Sequence, residues 1–200
     1  DVTIGYHRAN GGAADEVSSG NTWVNVGGEF SGWNVNLLYM TNEDETTNPE
    51  AAMGIDISGE VAGAGISASM NTDHDGDEMR VIGLTYAVND DMGVHASQTV
   101  YGEDGGFDMD NTNMSGADWS NGQMAYLAAG DEMLSYGLTY TMSGINLGAT
   151  MHNVTSTDET ERDVTEISVG YSLNDNAGLN LSMVDDNDTK YMWLTLNVGL

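Results

Sequence analysis

"VTEISVGYSLNDNAGLNLSMVDDND", Val164 to Asp188, decides how the rest of the chain is understood. Apolar residues alternate with small or polar ones, an Asn/Asp/Gly turn intervenes at 173–178, alternation resumes, and the stretch ends in acids. Period-two alternation marks a strand, because successive side chains point to opposite faces. Asn, Asp and Gly tolerate the positive φ angles of hairpin turns. The stretch is therefore a hairpin with one apolar side, led by Ile167, Val169, Leu179 and Leu181. Its other side holds Ser168, Gly170, Ser172, Asn180 and Ser182.

Outward from this hairpin the same pattern repeats. Tight turns occur at 30–33, 61–65, 88–93, 141–145 and 173–178, each rich in Gly, Asn, Asp or Ser. Longer connections lie at 9–21, 42–51, 71–78, 102–121, 153–163 and 185–189 and hold much of the acid, as in "TNEDETTNPE" and "STDETERD". Short and long connections alternate, so in an up-and-down sheet one end carries tight turns and the other long acidic loops. The predicted strands are 2–8, 22–30, 33–41, 52–61, 64–70, 79–88, 93–101, 132–142, 145–152, 164–173, 178–184 and 190–200, twelve in all. "QMAYLAA" (123–129) is either loop or part of an extended strand.

The faces repeat too. Leu134, Tyr136, Leu138, Tyr140 and Met142 oppose Ser135, Gly137, Thr139 and Thr141, and Met192, Leu194, Leu196 and Val198 oppose Trp193, Thr195 and Asn197. A soluble sandwich also alternates, but twelve hairpin-linked strands without a long crossover favour a closed meander. The chain ends inside its final strand, as expected where that strand closes against the first and leaves no edge.

Composition narrows the function classes. Two hundred residues suit one domain, 1–200, and 26 glycines spread along the chain disfavour helix. The 32 acids against four Lys and Arg give a net charge of -28. That makes nucleic acid and anionic membrane surfaces poor partners and divalent cations suitable ones. Without cysteine there is no disulfide framework, thiolate chemistry or Cys-bound zinc. No apolar run approaches the roughly 18 residues of a spanning helix, which leaves spanning strands open. The start at Asp1, with neither Met nor a signal segment, is that of a processed product or a fragment.

"VTEISVGYSLNDNAGLNLSMVDDNDTKYMWLTLNVGL" resembles the last hairpin, loop and closing strand of the Gram-negative porin family, most closely its alphaproteobacterial members. "VIGLTYAVNDDMGVHASQTVYGED" and "SYGLTYTMSGINLGATMHNVTSTD" are similar to further hairpins, and "DVTIGYHRANG" to a first porin strand. The resemblance implies a transmembrane antiparallel up-and-down β-barrel, passive diffusion, no required cofactor, and a homotrimer in the bacterial outer membrane. Two departures stand out. The chain ends in Leu200 where porins commonly carry an aromatic residue, and the third long loop is only "NTDHDGDE", without an arginine cluster. The chain is thus a small barrel of about 12 strands or part of a porin of about 16.

Individual residues refine this expectation. With Ile55 and Ile57 facing lipid, Asp56 and Glu60 face inward, and Glu29 joins them opposite Val26 and Phe30. Carboxylates lining a watery pore concentrate cations and repel anions. "NTDHDGDEM" has oxygen ligands at alternate positions and Gly76 for a sharp turn, like the opening of a calcium loop, but Ile82 stands where a bidentate Glu belongs. Asp73, Asp75 and Asp77 are therefore candidate ligands for a surface Ca2+. Arg8, Arg80, Arg162 and Lys190 all fall at strand ends near the long loops, where they pair with loop acids or lipid phosphates. Trp23, Trp33, Tyr39, Tyr101, Tyr171, Tyr191 and Trp193 lie toward strand ends, as interfacial aromatic belts do. His74 between Asp73 and Asp75, and His152 near serines, faintly resemble hydrolase residues; spacing alone orients no base toward a nucleophile, so no enzyme is expected.

The expected function is an outer-membrane, cation-preferring pore for small hydrophilic solutes and ions, embedded among lipid and lipopolysaccharide, with the 102–121 loop restricting access. The alternatives are a structural or adhesive barrel with calcium-binding loops, and a soluble secreted acidic β-protein.

Overall fold

The computed structural model describes residues 2–9, 19–42, 51–103, 127–174, 176–186 and 189–199. Its strands are β1 (Val2–Ala9), β2 (Ser19–Phe30), β3 (Trp33–Asn42), β4 (Ala52–Val61), β5 (Ala64–Thr72) and β6 (Glu78–Ala87). They continue as β7 (Met92–Tyr101), β8 (Glu132–Met142), β9 (Ile145–Thr155), β10 (Glu161–Asn174), β11 (Ala177–Asp186) and β12 (Thr189–Val198). Each pairs antiparallel with the next in one 12-stranded sheet of order β1 to β12, the up-and-down barrel architecture expected from the alternation. Strand ends differ modestly from expectation, β10 beginning at Glu161 and β9 reaching Thr155. The connections 9–21, 42–51 and 102–121 lie largely outside the described residues, as do Pro49, residues 123–126, Leu200 and the side chain of Arg8.

Three hairpins share one local solution. Ser31-Gly32, Ala62-Gly63 and Ser143-Gly144 all have positive φ at both central positions, 53° and 82°, 53° and 81°, 51° and 81°. That geometry twists a two-residue turn in the same sense as the strands it joins, and a glycine at the second position carries it without a Cβ clash. At 88–92 the Asn89 side-chain oxygen instead accepts the N–H groups of Asp91 and Met92, both at 2.9 Å. Short side-chain acceptors and glycines thus set the tight-turn end.

One face of the sheet is apolar and open from strand to strand: Ile82 is 60% exposed, Leu134 46%, Met151 42% and Leu194 68%. Near the tight turns Trp33 lies over Gly59 on this side, where a Cβ would come within 2.7 Å of its indole. Tyr39 and Tyr171 also point outward, in keeping with aromatic belts. Trp23, Tyr101, Tyr191 and Trp193 do not. Each is directly opposite an inner-face residue, namely Met40, Met79, Val184 and Ser182, and directly opposed residues share a face.

Candidate pore lining

The inner face is built in two halves. In the half near the tight turns it is small, polar and open. Glu29 is opposite Asn34, and Asn36 is opposite Asp56. The Asn36 amide donates to the Asp56 carboxylate at 3.4 Å. Glu29, Asn34, Asn36 and Asp56 line one cavity of about 430 Å3. Glu60 lies in the neighbouring cavity of about 410 Å3, which shares Asn34 and Ser58. The three acids picked out in the sequence therefore lie together, close to the 31–32 and 62–63 turns and exposed. No described Lys or Arg is paired with them.

Toward the long loops the inner face changes character. Met79, Tyr101, Met133, Val154, Val164 and Val184 form a buried apolar cluster on six consecutive strands, against which Trp193 and Leu127 pack. Met40 and Ala52 are likewise buried. The small, polar side seen at Ser168, Gly170, Ser172, Asn180 and Ser182 does not extend to this end. Alternation assigns a residue to a face but says nothing about its size, and on several strands large apolar residues take the inward positions near a long connection. This also accounts for three of the methionines, Met40, Met79 and Met133, which occupy the interior instead of the outer apolar face.

Between the two halves is a buried polar layer, of which the sequence singled out only His152. Ser135 Oγ is 2.7 Å from His152 Nδ1, and His152 Nε2 is 3.6 Å from Glu166 Oε2. The three residues are 5%, 2% and 3% exposed. Beside them His95 Nε2 lies 3.2 Å from Thr150 Oγ1, and Thr150 is directly opposite Glu166. Ser135 and Glu166 carried a legible signal: each falls on the polar side of its strand's alternation, but nothing in one strand showed that they meet. Chemically, the arrangement sets an imidazole edge beside a carboxylate. It is poorly placed for attack on a carbonyl, because the reacting carbon must come within about 3–3.5 Å of the nucleophile and Ser135 shows almost no surface.

At the loop end the acids and cations are engaged locally. Asp73 Oδ1 accepts the N–H groups of Asp75 and Asp77, both at 2.9 Å, around Gly76 with φ of 87°. The buried Asp73 carboxylate thus serves the turn itself, while Asp75 is exposed and Asp77 half-buried. Among the described residues no three His, Asp or Glu side chains are arranged to hold a metal ion. Arg80 pairs with Glu78 at 3.7 Å, Arg162 with Asp186 at 3.3 Å and Lys190 with Asp185 at 2.8 Å. In the 156–160 turn, hydrogen bonds from Thr160, one of them its N–H to Oδ1 at 3.0 Å, hold the Asp158 carboxyl below its ordinary pKa.

No protein-family profile and no curated protein sequence matches the chain. Solved structures do. A KdgM porin is similar over 100% of this chain and 98% of its own, at 8% identity and a TM-score of 0.51. A mutant of Rh. blastica porin is similar over 90% of this chain and 54% of its own, at 16% identity and a TM-score of 0.62. At these identities the likeness is one of architecture: the chain has a porin-like fold.

Proposed function

We propose that the chain is a pore of the bacterial outer membrane for passive diffusion of small hydrophilic solutes and ions, with a preference for cations. The observation that carries this reading is the pairing of a continuously exposed apolar outer face with an inner face whose open half holds Glu29, Asp56 and Glu60. Holding a large apolar side chain in water instead of an apolar medium costs about 1.5–3 kcal/mol, and this chain carries such residues on strand after strand. Lipid on the outside removes that cost, whereas a soluble protein would have to cover the face. Inside, uncompensated carboxylates at one mouth raise local cation concentration.

The porin resemblance adds lipid and lipopolysaccharide as surroundings and a homotrimer as the assembly, for which native mass in detergent is the check. No cofactor is needed for diffusion. Planar-bilayer recording in a KCl gradient tests the central reading. The expected reversal potential favours K+, and Glu29→Gln, Asp56→Asn and Glu60→Gln together reduce it. Absence of conductance, or a preference for Cl−, overturns the proposal.

A further inference from the structure

We propose that the inner-face cavity of β8 to β12 is a binding site for neutral polyhydroxylated solutes, sugars as a chemical class, held between the side-chain amides of Asn146 and Asn180. This rests on the pore reading above and names a solute class for it.

The lining is the first argument. In the half near the tight turns, Thr139, Thr141, Asn146, Ser168, Asn180 and Asn197 line a cavity of about 470 Å3. Small-molecule sites commonly span roughly 300–1,000 Å3. Each of these side chains is neutral, and each both donates and accepts hydrogen bonds. The acids Glu29, Asp56 and Glu60 line the separate cavities of β2 to β6. Cations are drawn to carboxylates and anions to Lys or Arg. A wall of hydroxyls and amides instead suits an uncharged solute whose own groups donate and accept.

Geometry at Gly170 is the second. Asn146 on β9 and Asn180 on β11 are each directly opposite Gly170 on β10. The Thr141 hydroxyl donates to Asn146 Oδ1 at 2.9 Å, so Asn146 turns its Nδ2 donors toward β10. Asn180 Nδ2 donates to Ser182 Oγ at 3.0 Å, and its Oδ1 is the atom nearer Gly170. A Cβ on Gly170 would lie 3.8 Å from Asn146 Nδ2 and 3.7 Å from Asn180 Oδ1. The space over Gly170 is thus flanked by a donor and an acceptor. A hydroxyl placed there accepts from Asn146 and donates to Asn180, which an ether oxygen, a metal cation or a halide cannot do. Ser168, Ser172 and Asn197 offer partners to further hydroxyls of the same molecule. Asn146 is exposed and Asn180 half-buried, so a solute on the inner face reaches both.

The test is sucrose added to the reconstituted protein in a planar bilayer, with the K+ current as readout. Sucrose should reduce the current saturably. Methyl-capped polyethylene glycol of equal hydrodynamic radius, whose oxygens only accept, should lower it without saturating. Gly170→Ala sets a methyl group between the two amides at ordinary contact distances, which the fold accommodates. It should raise the half-saturating sucrose concentration about tenfold, the worth of two hydrogen bonds. Asn146→Leu with Asn180→Leu, which removes the amides at similar volume, should do the same. If sucrose behaves like the capped polymer, or if Gly170→Ala matches the unmodified protein, the inference fails and the pore stands. If the protein does not conduct, the pore reading fails, and calorimetry of sucrose with the protein in a sugar-free detergent decides the site. Saturable heat that Gly170→Ala weakens upholds it, and no heat overturns it.

Discussion

His95 on β7 reaches Thr150 on β9, Nε2 to Oγ1 at 3.2 Å, by crossing the intervening strand at Gly137. A Cβ on Gly137 would come within 2.8 Å of the His95 ring and 2.4 Å of the Ala149 carbonyl oxygen. The missing side chain lets an imidazole lie flat across β8, joining three strands in one polar layer.

Gly137→Ala should therefore break the His95–Thr150 contact and move backbone at Ala149. Overpacking of this kind costs about 1–3 kcal/mol, read as a lower midpoint in urea unfolding from lipid vesicles. Gly28→Ala is the comparison, since a Cβ there meets nothing within 4 Å, and its midpoint should be unchanged.

Met133 is 3% exposed within the apolar cluster. Met133→Ala should destabilise the barrel by about 2–5 kcal/mol, the range for emptying a packed site. It should also raise single-channel conductance, because the removed side chain points inward. A stability loss without a conductance change would show that the cluster seals a region away from the ion path.

Leu138 and Thr139 are neighbours on β8 that face opposite ways. Leu138→Lys exposes a charge on the outer face and should cost about 2–4 kcal/mol near the bilayer midplane, seen as poor insertion into vesicles. Thr139→Lys should insert normally and weaken cation preference, as it adds positive charge beside the inner cavity. Equal tolerance of both would contradict a lipid-facing outer surface.

The strand rhythm, the turns and the two-faced sheet were legible in the residues because each depends on near neighbours. Period two, as at Leu134 to Met142, needs only one strand, and the positive φ at Ser31-Gly32, Ala62-Gly63 and Ser143-Gly144 needs only a short Gly-containing turn. Glu29, Asp56 and Glu60 were found in the same way, each from the alternation of its own strand.

What only the tertiary structure decided is which inward residues are buried and which of them meet. Ser135, His152 and Glu166 lie on β8, β9 and β10, and Met79, Met133 and Val184 on β6, β8 and β11. Alternation alone treats Glu166 and Ser168 alike, as two polar residues on one face. The register across β8, β9 and β10 separates them, placing Glu166 against His152 under an apolar layer and Ser168 on an open cavity. Burial and proximity are sums over neighbouring strands, and no single stretch of sequence contains those terms.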